Sequence, residues 1–150
     1  MSVYVKTSSS VDTIISQLDP TNCFEITFTD LNPYTCYSGV YNTSIATSPA
    51  MPTLPAGTYL VVGLVTCYGW SQNTAAIARI ANLDNQSVAL NSTARSSFAG
   101  IAGLYTSAQV VTTSTLTETT EFRYFMQVSC ARGTFKFAGA HMYVYQLLVS

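Results

Sequence analysis

Residues 58–68 read TYLVVGLVTCY, and the reading of this stretch decides the fold. It holds no charge and no proline, and it is rich in β-branched and aromatic residues, which fit a pleated, half-buried surface. Its length suits a long strand, and its apolar run, Tyr59 to Val65, falls far short of a membrane-spanning helix. The stretch therefore predicts a long, largely buried β-strand. Working toward the C-terminus, Ala75 to Ala81 (AAIARIA) is a second strand. Its small residues also suit a helix, but its Thr- and Asn-rich flanks favour a strand. Asn82 to Asn85 (NLDN) reads as a turn. Gln86 to Leu90 follows as a short strand, then an exposed loop from Asn91 to Ser97. Phe98 to Tyr105 is Gly- and Ala-rich and predicts a bulged strand. Ala108 to Leu116 is rich in Thr and Val. Phe122, Tyr124, Met126, Val128 and Cys130 alternate with polar residues, the period-two signature of a half-buried strand. Arg132-Gly133 makes a turn, and Thr134 to Val149 is a last long strand with a bend at Gly139.

Toward the N-terminus, Thr43 to Ala56 carries Pro49, Pro52 and Pro55 in a Ser/Thr/Ala background. Proline removes ladder donors, so this is an extended connector rather than a strand. It divides residues 1–54, an N-terminal segment with a Pro-rich strap, from a sandwich over residues 55–150. The whole remains one compact domain, because neither the segment nor the link is large enough for its own core. Within the segment, Tyr34 to Tyr41 is extended. Phe24, Ile26 and Phe28 alternate with Glu25, Thr27 and Thr29 as a half-buried strand. Val11 to Leu18 has apolar residues at helical spacing, with Ser10 as its N-cap and Pro20 beyond its end, and is the one helical candidate. Val3 to Lys6 is a short strand candidate. Many short strands with polar turns argue for an all-β, antiparallel sandwich or jelly roll. No internal repeat or heptad pattern is present.

Composition narrows the function. Hydrophobic residues make up 48% of the 150 and charged residues 9%, with a net charge of -1. The chain should fold, since disorder usually pairs low hydrophobicity with high net charge. Six basic residues cannot build a strong phosphate-binding footprint, so nucleic acid is not an expected partner. There is no basic cluster to attract a membrane surface. No signal-peptide pattern opens the chain, which suits a protein made in a cytosol and not exported by that route. Few charges make it cheap to bury surface between copies.

Catalytic and metal chemistry find little support. Cys23, Cys36, Cys67 and Cys130 lack metal or redox spacing. They read as buried thiols, with a Cys23–Cys36 disulfide as the alternative. The one histidine, His141, sits in an alternating strand and reads as a packed or interface side chain rather than a catalytic base. Glu118 and Glu121 lie three apart, on opposite faces of a strand, and so do not face one cleft. Asp84 reads as a turn former. Asn42, Asn85 and Asn91 begin sequons that chance explains in so Ser/Thr-rich a chain. No catalytic residue, metal ligand or cofactor site is expected.

The aromatic residues carry more. Tyr34, Tyr37 and Tyr41 either pack on their own sandwich or meet a partner, since tyrosine is favoured at interfaces. Tyr143 and Tyr145 share a strand face with His141 and Leu147, while Met142, Val144 and Leu148 take the other. A strand apolar on both sides points to oligomerisation, and which face fills the sandwich stays open at this point.

Three segments, PAGTYLVVGLVTCYGW from Pro55, IARIANLDNQSVAL, and TETTEFRYFMQVSCARGTFKFAGAHMYVYQLL, together resemble the C1q/tumour-necrosis-factor-like jelly roll of small bacteriophage structural proteins. The match is a pattern of strand types over Pro55 to Val149: an AGTY strand, then Thr120, Phe122 and Tyr124, then the closing strand Phe137 to Leu147. The resemblance implies homotrimers about a threefold axis that act as head decoration or cement proteins or as receptor-binding fibre tips. A start at Met1, the absence of a shaft and the Pro-rich strap favour decoration. The expectation is then a virion protein at the capsid surface, with the major capsid protein as partner through Tyr34, Tyr37 and Tyr41, and with Tyr143, Tyr145 and Leu147 at the trimer interface. The alternative is a receptor-binding knob that meets a host receptor through exposed loops holding Trp70, Gln72, Asn73 and Asn91 to Ser97. An enzyme is the third and weakest reading.

Overall fold

The computed structural model describes residues 18–28, 35–37, 40–41 and 50–147, and for 18–23 and 35–37 it describes the backbone alone. Tyr34, the helical candidate up to residue 17, the Val3 to Lys6 strand and most of the Pro-rich connector lie outside the described residues. Ten strands run in chain order: β1 (Leu18–Phe28), β2 (Thr35–Tyr37), β3 (Thr53–Leu54), β4 (Gly57–Tyr68), β5 (Thr74–Asn82), β6 (Arg95–Gly100), β7 (Thr106–Leu116), β8 (Thr120–Glu121), β9 (Tyr124–Cys130) and β10 (Thr134–Leu147). All the described pairings are antiparallel, and no helix occurs among the described residues. Leu18, the last residue of the expected helix, opens β1 instead, and Pro20 lies within that strand.

The large sheet has the order β1-β10-β4-β7, with β2 also pairing β10, and the small sheet has the order β6-β5-β9. From β4 onward the chain crosses between sheets at β4–β5, β6–β7, β7–β9 and β9–β10. Such wrapping makes the molecule an antiparallel β-sandwich of jelly-roll type. The last described strand, β10, lies in the middle of the large sheet, between β1 and β4.

The alternation read from the sequence sets the core. Tyr59, Val61, Val65 and Cys67 of β4 point inward, as do Ile26 and Phe28 of β1 and Phe135, Phe137, Met142 and Val144 of β10. They meet Ala76, Ala78 and Ile80 of β5 and Met126, Val128 and Cys130 of β9. Residues 24–28 thus share the core of the sandwich expected to begin at residue 55. Cys67 and Cys130 are buried thiols, and burial pushes the Cys130 thiol up from its ordinary value. Gly63 marks the tightest approach of the two sheets, because a Cβ there would overlap the Met126 Sδ and lie 3.2 Å from Ile80 Cγ1.

Where the sequence suggested a strand at Gln86 to Leu90 and a loop at Asn91 to Ser97, the chain does otherwise. Residues 86–90 form turns with a single bridge, Ala89 to Ala81, and β6 begins at Arg95. Phe98 to Tyr105 is not one strand, since β6 ends at Gly100 and residues 101–105 turn. The bend at Gly139 is present as a register shift between Phe137 and Gly139. Asn82 folds the NLDN turn, its Oδ1 accepting the N–H groups of Asp84 (2.8 Å) and Asn85 (3.2 Å). Asn91 reaches the outer edge of β7, where its Nδ2 donates to the Thr113 carbonyl at 2.6 Å. The same side chain accepts from the Thr112 and Thr93 hydroxyls, so part of that sheet edge is capped by side chains.

Candidate interaction surfaces

The structure decides which face of β10 looks out. Met142 and Val144 are fully buried, so His141, Tyr143, Tyr145 and Leu147 lie on the outer face of the large sheet, each half-buried. Register adds β4 and β7 to the same surface. Tyr145 pairs Leu60, Tyr143 pairs Val62 and His141 pairs Leu64, and Val62 pairs the exposed Val111. The rings of His141, Tyr143 and Tyr145 run nearly parallel up the strand, with centroids 6.4 and 6.5 Å apart. The result is an aliphatic and aromatic surface two to three strands wide, of the kind that marks an association site.

Its polar border comes from β1. Glu25 pairs Tyr143 and Thr27 pairs His141 across the strands. Burial, and next the Glu25 carboxylate beside it, push the Tyr143 phenol up from its ordinary value. Thr27 Oγ1 lies 3.4 Å and Glu25 Oε1 3.7 Å from the same imidazole nitrogen, Nδ1 of His141. A relay needs the acid on one ring nitrogen and the nucleophile on the other, so this trio is not arranged as a hydrolytic triad. Among the described residues no group of three or more His, Cys, Asp or Glu side chains is placed to hold a metal.

The loop residues expected together are separated. Trp70, Gln72 and Asn73 lie at one end of the sandwich and residues 91–94 at the other, because β5 runs the length of the small sheet between them. Trp70 is a correction to the expectation of an exposed ligand contact. It is 2% exposed, stacked on Phe135 with centroids 4.7 Å apart, and its ring fills the space over Gly100. The apolar area of an indole outweighs the polar loop around it. Gln72 and Asn73 are exposed, and Asn73 Oδ1 accepts the Ala102 N–H at 2.8 Å.

Of the N-terminal tyrosines, Tyr37 pairs Thr134 through the backbone. Tyr41 is half-buried on its own sandwich, where the Arg79 guanidinium sits 3.6 Å from the ring centroid. Arg79 is buried on the outer face of the small sheet. Its Nε donates to Gln127 Oε1 and its Nη2 to the Gln86 carbonyl, both at 2.8 Å. Desolvation pulls its pKa down, and Arg95, directly across from it in β6, adds to that.

One surface had no forecast in the sequence. Ile101, Leu104 and Tyr105, in the loop between β6 and β7, are 44%, 56% and 72% exposed. Tyr105 lies against Tyr68, with centroids 5.3 Å apart and planes 19° from parallel. The available signal was the run IAGLY, whose Gly103 adopts φ +75° and ends any strand there.

No protein-family model matches the chain, and no curated protein matches it. Among solved structures it is similar to the T13 viral particle of IBDV at 12% identity and a TM-score of 0.53, covering 83% of this chain and 31% of that one. The VP2 subviral particle of infectious bursal disease virus gives 10% identity and a TM-score of 0.53 over 83% of this chain and 33% of that one. The Gx strain of the same virus gives 12% identity and a TM-score of 0.50 with the same coverage. The chain spans about a third of the length of those proteins. At such identities the likeness concerns the fold.

Proposed function

We propose that this chain is a structural protein of a virion, built to associate with copies of itself through the outer face of its large sheet. The observation that carries the reading is the face formed by Leu60, Val62, Leu64, Tyr143, Tyr145 and Leu147, apolar on the side turned away from the sandwich core. In the finer form, it is a homotrimeric decoration or cement protein of a bacteriophage head, which binds the major capsid protein and stabilises the shell. Three identical contacts per trimer would multiply a modest single affinity, because binding of one arm raises the effective concentration of the others. The fold shared with viral-particle proteins supports the coarse reading, and the resemblance to phage jelly rolls supports the finer one.

The test is the solution mass by light scattering after size exclusion, followed by co-sedimentation with capsids. A mass near three chains that does not change on dilution is expected. Tyr143→Lys should shift it toward one chain, since a charge buried in an interface without a partner is costly. A stable monomer that also fails to co-sediment with capsids would overturn the proposal.

A further inference from the structure

The end of the sandwich opposite the 83–94 loop is formed by three connections: residues 69–73, 101–105 and 131–133. They brace one another. The Gly103 N–H donates to the Trp70 carbonyl at 3.1 Å, and the Ala102 N–H to Asn73 Oδ1 at 2.8 Å. Arg132 Nε donates to the Asn73 carbonyl at 3.2 Å, and the Arg132 N–H to Thr74 Oγ1 at 3.2 Å. Ser71 and Thr134 exchange two further bonds. Trp70 anchors the cluster from below. The surface above it is therefore preformed, which lowers the ordering cost of binding.

That surface has a definite chemistry. Tyr105 leans one ring face on Tyr68 and leaves the rest of the side chain open, 72% exposed. Lys136 is the direct cross-strand neighbour of Tyr68. Arg132 uses its Nε within the loops, and its Nη groups make no ion pair among the described residues. Gln72 and Asn73 add exposed amides, and Leu104 and Ile101 an apolar rim. None of the three connections contains Asp or Glu, in a chain that has seven acids against six bases overall. A supported ring face with a lysine on the adjacent strand, exposed amides and loops without Asp or Glu complement a ligand with an apolar C–H face, many hydroxyls and a negative charge.

We propose that this loop end binds an acidic sugar, with the Tyr105 ring as platform and Lys136 as the group that receives its carboxylate. Charge-assisted hydrogen bonds to the carboxylate supply discrimination, and the ring supplies contact area without conformational cost. The site does not depend on self-association, because all its residues come from one chain.

The test uses the intact protein and saturation-transfer NMR with 3′-sialyllactose and with lactose, each at about 1 mM, the range expected for a shallow single-sugar site. Transfer should appear on the sialyl protons and be at least about fivefold weaker with lactose, since a charge-assisted bond is lost. Tyr105→Ala should abolish it, Tyr105→Phe should keep it, and Lys136→Gln should reduce it. Tyr105 is mostly exposed, so its removal leaves the core intact, and an unchanged far-ultraviolet dichroism spectrum checks this. No transfer from either sugar, equal transfer from both, or transfer indifferent to Tyr105→Ala would overturn the proposal. So would Tyr105-dependent binding to phosphatidylserine vesicles without sugar binding, which would mark the apolar rim as a lipid contact.

Discussion

At Gly63 the sheets approach so closely that one added methyl must displace Met126 or Ile80. Gly63→Ala should cost about 1–3 kcal/mol, the usual range for overpacking, read as a lower denaturation midpoint with an unchanged slope. Trp70 carries a different tension. Its ring is buried, but Nε1 finds no acceptor among the described residues. Trp70→Phe keeps most of the packing and removes the orphaned donor, so it should be close to neutral, whereas Trp70→Ala should cost about 3–5 kcal/mol. Asp84 is exposed and held by Arg123 through Nε and Nη2, both at 2.9 Å, which lowers its pKa from the ordinary value. A depressed carboxylate adds stability above its unfolded pKa and loses it as pH falls through the folded one. Arg123→Gln should therefore lower the neutral plateau slightly and flatten the acid limb, with stability at low pH unchanged. Burial raises the Tyr59 phenol, whose hydroxyl donates to the Pro55 carbonyl at 2.7 Å. That contribution is complete below the ordinary phenol pKa and fades as pH rises through the folded one, so Tyr59→Phe should soften the alkaline limb.

The strands best read from sequence were those whose own residues decide them. In β4 and β10, β-branched and aromatic side chains impose the strand, and inward and outward positions then follow by alternation. The sequence also told that β10 was apolar on both faces, but not which face was inward, since both sets of side chains are equally apolar. The first half of β6, Arg95 to Ser97, was read as loop because RSS has little β-preference of its own and is strand by virtue of pairing with β5. Gln86 to Leu90 was over-read because its apolar residues Val88 to Leu90 suit a strand, yet it makes only one bridge, at Ala89. The candidate surfaces were legible to the same degree. Periodicity put Tyr143, Tyr145 and Leu147 on one face, while Tyr105 was hidden inside a segment taken for strand and Trp70 was assigned outward by its polar neighbours. The Asn91 side chain, which caps the β7 edge, acts at this scale too. Asn91→Ala should uncover the Thr113 carbonyl and cost about 1 kcal/mol, the typical worth of one hydrogen bond. It should also raise the rate of aggregation at high concentration, measured by turbidity.

Across the whole molecule, the core and the proposed assembly surface lie on opposite faces of one sheet. Tyr143→Lys should lower the solution mass with little change in the fold, while Met142→Ala, at the adjacent residue facing the core, should lower stability by about 2–5 kcal/mol. Deletion of residues 18–28 should fail to give a folded protein, because it removes a strand of the large sheet along with Ile26 and Phe28 of the core. The placement of β10 also bears on how the chain comes into being. Residues 134–147 are made after every other described strand, yet they sit between β1 and β4. While the ribosome is still short of them, β1 has no neighbour and β4 has one among the described strands, so those strands cannot close into the large sheet during synthesis. The sandwich must then fold at a late stage and through contacts distant in sequence, which is slow. A copy cut short before residue 134 lacks the strand that joins β1 to β4, and its exposed apolar strands mark it for chaperones and proteases.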